Sequence, residues 1–385
     1  MAPYWYWRAL KNAWPVDETA TNRFDLPERG ALSGLAIHLQ TLNEAALYNY
    51  TDAHMVERTS MRILGNGNFE IINAAGKQLH AMNFLDSGMM PQENLTGVDA
   101  EYQDQYLYLN FGRYMGDPKY GLWLEKFAAG VQFEETNTFS TTYYADGYSK
   151  YTIYGLFRKN PEASLFSGGF LRKRQILNKT AASETQYGVK LPTENKLRQI
   201  HLFSIPACTA GAMTTTWWNE MLRIWLSIKS REEYIIDNEL SYDHMRFIYD
   251  YLNRKADTFV RAQAYSSGPY MDTMIDEKHT AALTAMYPAT ACYVAGDTAT
   301  DTTRYQRYYA FDSSGTSYST PLVGIRSTGT VLHGNLPLLA QKPDTDETEW
   351  LDSMANKDVY VEVTENVSTG TWQIVLDELE KSYPS

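Results

Sequence analysis

Apolar and polar residues take turns in short runs from one end of this chain to the other. Leu35, Ile37 and Leu39 alternate with Ala36, His38 and Gln40, and Leu107, Leu109 and Phe111 with Tyr106, Tyr108 and Asn110. The same beat returns in Val131 and Phe133, in Ile224, Leu226 and Ile228, and in Val359, Val361 and Val363. Successive side chains of a strand point to opposite faces, so a period of two marks strands with one buried face. Turn-forming residues separate the runs, among them Gly65-Asn66-Gly67-Asn68, Asp146-Gly147, Gly168-Gly169, Ser314-Gly315 and Ser368-Thr369-Gly370. Many short strands divided by such turns read as sandwich or barrel architecture. A doubly wound α/β chain would place a helix after each strand, and this chain does not. With 385 residues it suits two domains of roughly 190 residues.

Helical periodicity is rare. Met245, Ile248, Tyr249 and Leu252 form one apolar stripe, with Ser241 placed to cap it and Asp243, Arg246, Asp250 and Arg254 off the stripe. A shorter candidate covers Lys77 to Leu85. From Gly155 to Ile200 the periodicity fades and the chain turns basic, with Arg158, Lys159, Arg172, Lys173, Arg174, Lys179, Lys190, Lys196 and Arg198 against Glu162, Glu184 and Glu194. A domain junction near Leu191-Pro192-Thr193 fits this stretch. Acids dominate from Pro337 to Glu365, including Asp344, Asp346, Glu347, Glu349, Asp352, Asp358, Glu362 and Glu365. Runs of this kind read as solvated faces, or else as complementary patches between subunits.

A net charge of −12 excludes a surface that grips nucleic acid throughout, and no direct nucleic-acid recognition is expected. The two cysteines, Cys208 and Cys292, stand far apart without metal-type spacing; a reducing compartment follows, with a single disulfide left open. No run approaches the ~18 apolar residues of a spanning helix, and the first residues lack the pattern of a cleaved signal. Glycosylation-like triplets at Asn49, Asn94, Asn178 and Asn366 carry little weight in a Ser/Thr-rich chain.

Catalytic chemistry finds no footing. His38, His54, His80, His201, His244, His279 and His333 are scattered singly, no Cys-x-x-Cys or Gly-x-Ser-x-Gly occurs, and the Gly65 loop lacks the third glycine and following helix of a phosphate cradle. Glu134 with Glu135, or Asp237 with Glu239, are the carboxylate pairs a glycosidase would need, and solvated carboxylates are the plainer reading. No catalytic residue, metal ligand or cofactor is therefore expected. Phe111-Gly112-Arg113 reads as structural: a core aromatic ends a strand, glycine permits a bend at positive φ, and arginine offers a fork to carbonyls or a carboxylate.

The first residues are unusual. Tyr4, Trp5, Tyr6, Trp7 and Trp14 are interleaved with Arg8 and Lys11, with no acid before Asp17. Such an arm suits either the headgroup zone of an anionic membrane or a neighbouring subunit on which the aromatics act as anchors.

Two segments carry a resemblance. Phe24-Asp25-Leu26-Pro27-Glu28-Arg29-Gly30 leading into Ala31–Leu39 resembles the opening of double jelly-roll capsid proteins. Tyr106–Leu122, with Phe111-Gly112-Arg113, Asp117 and Gly121-Leu122, is similar to a strand, Phe-Gly-Arg, turn and Gly-Leu signature of tailless-phage coat proteins. A second half restarts at Leu197-Arg198-Gln199-Ile200-His201-Leu202-Phe203, without a Phe-Gly-Arg copy and with an uncommon small-residue stretch at Pro206–Thr216. The family resembled is that of the tectivirus and corticovirus coat proteins, with adenovirus hexon a larger relative. The resemblance implies an all-β fold of two tandem eight-stranded jelly rolls with a few short helices: an arm over residues 1–16, a first roll with a basic connecting stretch over 17–195, and a second roll over 196–385. It implies a non-enzymatic major capsid protein that forms homotrimeric, pseudo-hexagonal capsomers. These would tile an icosahedral shell over an internal membrane, contact neighbouring capsomers and penton or minor capsid proteins, and be assembled in the host cytoplasm. The rival from another class is a two-domain carbohydrate-active enzyme or binding module, for which the Trp, Tyr and carboxylate supply would look similar.

Overall fold

The computed structural model describes residues 2–43, 58–90, 93–97, 100–139, 144–182, 185–205, 208–209, 212–213, 221–263, 271–272, 278–285, 292–297, 307–312, 322–342, 344–365 and 370–384. Asn49, Asn366 and most of Pro206–Thr216 lie outside the described residues.

Alternation becomes strand wherever the sequence carries it. In β3 (Ala31–Leu42), Leu35, Ile37 and Leu39 are fully buried while Ala36, His38 and Gln40 are half-buried. Each such side chain withdrawn from water contributes about 1.5–3 kcal/mol. The first unit comprises β1 (Tyr4–Pro15), β2 (Thr21–Asp25), β3, β4 (Arg58–Gly65), β5 (Phe69–Ala74), β6 (Tyr102–Asn110), β7 (Val131–Asn137) and β8 (Lys150–Lys159). Its two sheets run β1-β8-β3-β6 and β2-β7-β4-β5. β4 and β5 close as a hairpin through Asn66 and Gly67, both at positive φ (48° and 82°), which is the backbone an Asn-Gly turn supplies.

The second unit comprises β9 (Phe170–Thr180), β10 (Thr185–Lys190), β11 (Lys196–Ile205), β12 (Arg223–Ile228), β13 (Glu233–Leu240), β14 (Asn335–Pro337), β15 (Tyr360–Glu365) and β16 (Thr371–Glu380). Its sheets run β9-β16-β11-β14 and β10-β15-β12-β13. Adding eight to each strand number of the first unit reproduces the second, and the expected pair of like-ordered eight-stranded jelly rolls is present.

The frame differs from the expected boundaries. Residues 4–15 are the first strand of the first roll rather than an arm ahead of it, and the basic stretch before residue 196 contains β9 and β10, the first two strands of the second roll. The division falls between β8 and β9, at residues 160–169 rather than at 195/196.

Each roll carries a twelve-residue helix at the same place in its order: α1 (Gly76–Ser87) between β5 and β6, and α2 (Ser241–Leu252) between β13 and β14. Ser241 is the first helical residue rather than the cap, and its hydroxyl donates to the Met221 carbonyl. The stripe Met245, Ile248, Tyr249 and Leu252 is buried as expected. Between α2 and β14 a long insertion adds further strands, of which Ala256–Gln263 runs parallel to Glu93–Gly97 and so extends the first sheet beyond β6. The two rolls share a sheet, because β5 and β9 pair in parallel through Ile72 with Lys173 and Asn73 with Arg174.

Candidate functional site

Phe111-Gly112-Arg113 lies just after β6, and all three residues work locally. Phe111 is fully buried, and its carbonyl accepts from the Leu171 amide of β9 at 2.8 Å. Gly112 is not at positive φ, contrary to expectation; it is required because an added Cβ would stand 2.7 Å from the Tyr120 carbonyl oxygen and 2.8 Å from Asp117 Cβ. Arg113 grips the buried Asp117 with Nε at 2.7 Å and Nη2 at 3.1 Å, while Nη1 donates to the Asp344 carbonyl at 3.1 Å. The fork thus serves a carboxylate and a carbonyl together, the use that guanidinium geometry favours.

Asp344 belongs to the acidic run, so Arg113 ties the first roll to the second. Lys119 adds a bond to Asp346 at 2.7 Å. Within the second roll the basic stretch finds the C-terminal acids: Arg172 bonds Glu380 at 3.0 Å, Arg174 bonds Glu378 and Lys179 bonds Glu365 at 2.5 Å each, and Lys190 pairs with Asp358. Lys179 and Lys190 of the basic run thus meet Glu365 and Asp358 of the acidic run inside one chain.

The deepest junction lies under α1. Arg198 of β11 holds Asp377 of β16 at 2.6 Å and Asp86 of α1 at 2.5 Å. Burial pushes the Asp86 carboxyl above its ordinary value. Burial acts on Asp377 in the same sense, but the charges of Arg198 and Lys173 outweigh it and hold that carboxyl below its ordinary value. Gln78 of α1 reaches Gln373 and Gln175 at 2.7 and 2.8 Å. His80 Nδ1 meets His333 Nε2 at 3.0 Å and its Nε2 lies 2.9 Å from Glu93, a cluster that scattered single histidines gave no means of foreseeing. Burial pushes His333 well below the usual imidazole range and His201 down to about 4.

Of the first-strand residues, Tyr6 stacks on Phe157 at 6.0 Å, and Trp14 meets Phe24 and Tyr151 edge-on at 5.5 and 6.3 Å. Trp5 lies under Arg158 and beside Phe166, and Lys11 lies over Trp14. Arg8 is exposed, its guanidinium 6.0 Å from the Phe157 ring. Tyr4 and Trp7 project outward, 51% and 52% exposed. Trp7 lines an open hollow of about 450 Å³ with Met89, Met90, Tyr108, Tyr114 and Met115. One strand therefore has a docked set and a presented set, and the structure separates residues that the sequence grouped together.

Glu134 and Glu135 are held by different partners. Glu134 binds Arg23 and Arg62, whereas Glu135 lies beside the buried Arg58, and Glu239 binds His244. Among the described residues no group of three or more His, Cys, Asp or Glu is placed to hold a metal ion, and no helix is long and apolar enough to cross a membrane.

No protein-family model matches the chain, and no curated protein matches its sequence. Solved structures do match in shape. The STIV major capsid protein aligns over 99% of this chain and 98% of its own, with a TM-score of 0.54 and 8% identity. A second structure, from Sulfolobus Turreted Icosahedral Virus, aligns over 98% and 91%, again with a TM-score of 0.54 and 8% identity. The major capsid protein P2 of bacteriophage PM2 covers 99% and 100% at a TM-score of 0.48 and 10% identity. Strand order and the two alignments at a TM-score of 0.54 together identify the chain as a double jelly roll, sharing its fold from end to end with the major capsid protein of STIV.

Proposed function

We propose that this chain is a viral major capsid protein whose work is assembly rather than turnover. The observation that carries the reading is the repeat itself: sixteen strands in which the second eight reproduce the order of the first. A chain with two like-shaped units gives a closed ring of three copies six near-equivalent sides, and a six-sided tile paves a shell with one kind of protein. The end-to-end fold likeness to the STIV major capsid protein supports the same reading. The tile would sit in a virion shell made in the host cytoplasm, next to copies of itself and minor capsid proteins. Size-exclusion chromatography with light scattering tests it. A stable species of three times 43.9 kDa that electron microscopy resolves as hexagonal tiles is expected. A monomer with glycan affinity would replace it with the carbohydrate-active alternative.

A further inference from the structure

Within the chain, α1 of the first roll covers the outer face of the sheet β9-β16-β11-β14. Gln373, Val375, Asp377, His201 and Phe203 on that face are all under 9% exposed, although they point away from their own sandwich core. The matching face of the first roll, on β1-β8-β3-β6, is not covered in this way: Trp7 and Tyr154 are 52% and 39% exposed, beside the half-buried His38 and Tyr106.

The helices show the complementary imbalance. Counted from the first residue of each, Gln78, Met82 and Asp86 of α1 correspond to Asp243, Phe247 and Tyr251 of α2. Gln78 and Asp86 are the positions that reach the second roll, and Met82 is 1% exposed. Phe247 and Tyr251 are 71% and 56% exposed. Strand edges repeat the pattern. β5 pairs with β9, whereas their counterparts, β13 and the leading strand β1, each end a sheet among the described residues.

We propose that β13 and the outward face of α2 in one copy dock on β1 and the outer face of β1-β8-β3-β6 in the next copy, as β5 and α1 dock on the second roll within a chain. The occupant is thus a second copy of this protein. Charge supports it: β13 carries Glu233, Asp237 and Glu239 and no base, while β1 carries Arg8 and Lys11 and no acid. At the joined pair the side-chain contact is Arg172 Nε of β9 donating to the Glu70 carbonyl of β5 at 2.9 Å. The exposed side chains on both faces are the aromatic types that anchor interfaces. The contact is head-to-tail, so it builds a ring or an open chain rather than a two-fold pair.

This inference rests on the capsid reading, and the test separates the two. The full chain is compared with Phe247→Asp/Tyr251→Asp, with Trp7→Asp, and with Arg8→Glu alone and together with Asp237→Arg. Light scattering reads mass, circular dichroism reads folding and melting, and flotation with anionic liposomes reads membrane contact. The expected result is a fall from three copies to one in the first three variants with a native spectrum, and a return to three in the Arg8→Glu/Asp237→Arg pair. A wild type that is monomeric at every concentration overturns the capsid reading and this inference together. A trimeric wild type whose variants all remain trimeric overturns this inference alone, as does a loss of flotation without a loss of mass, which would assign Trp7 and Arg8 to a lipid surface.

Discussion

Arg198 binds Asp86 and Asp377 at once, one carboxylate from each roll, with all three side chains at or below 8% exposure. The arrangement has an asymmetric energetic consequence. A buried charge network gains little over well-packed apolar residues, but losing one partner strands the others. Arg198→Ala should lower the free energy of unfolding by about 3–5 kcal/mol in urea titration, whereas Arg198→Met with Asp86→Leu and Asp377→Leu should recover most of it. A single-variant loss below about 1 kcal/mol would contradict the network.

Acid should loosen the same junction. Burial holds His201 at about 4 in the folded chain against an ordinary 6.5, so between those values the unfolded chain binds the extra proton and stability falls as pH falls. The depressed His333 acts in the same direction. Across that window His201 accounts for a loss on the order of 3 kcal/mol. Melting temperature measured from pH 7 to pH 4 should drop, and His201→Gln should flatten the profile. A profile unchanged by the substitution would remove His201 from the account.

Arg113→Ala leaves Asp117 fully buried without its guanidinium, and should cost about 2–4 kcal/mol by chemical denaturation. Arg113→Lys should recover little of this, because an ammonium cannot hold two carboxylate oxygens and the Asp344 carbonyl in one plane.

Deleting residues 2–15 should damage the first roll itself. β1 pairs with β8 from Tyr4 against Lys159 to Pro15 against Lys150, and Trp14 covers Phe24 and Tyr151. The truncated chain should lose cooperative melting and become sensitive to limited proteolysis within residues 17–159. A truncation that melts like the intact chain would restore a detached arm.

The sandwich architecture was legible because β3, β6 and β12 bury one face against their own roll, which writes a period of two into the sequence. The two restarts seen in the sequence, before Ala31 and at Leu197, fall on β3 and β11, which are counterparts. The leading strand of each roll is the one that the sequence hides: β1 reads as an arm, and β9 together with β10 as a connecting stretch, whereas β2 falls within the first roll as read. β9 shows the reason. Its Arg172 and Lys173 are buried, neutralised by or bonded to groups far along the chain, so polarity along it no longer reports exposure. β1 hides for the opposite reason, since it is an edge strand with no fully buried residue and offers no contrast to read. The Arg113 fork was legible from residue type, but its second partner, 231 positions away, was not.

The position of β16 between β9 and β11 also bears on synthesis. The first roll has all eight strands once residue 159 has emerged, and domains generally fold as units from the N-terminus during translation. The second roll lacks its middle strand until residues 371–380 are made, since β9 and β11 bond to β16 and not to each other. A ribosome that stops early thus releases a chain with one finished half and one open sheet, whose unpaired edges are surfaces that chaperones and proteases recognise. The second roll thus closes only after residues 371–380 are made, a dependence set by strand order alone.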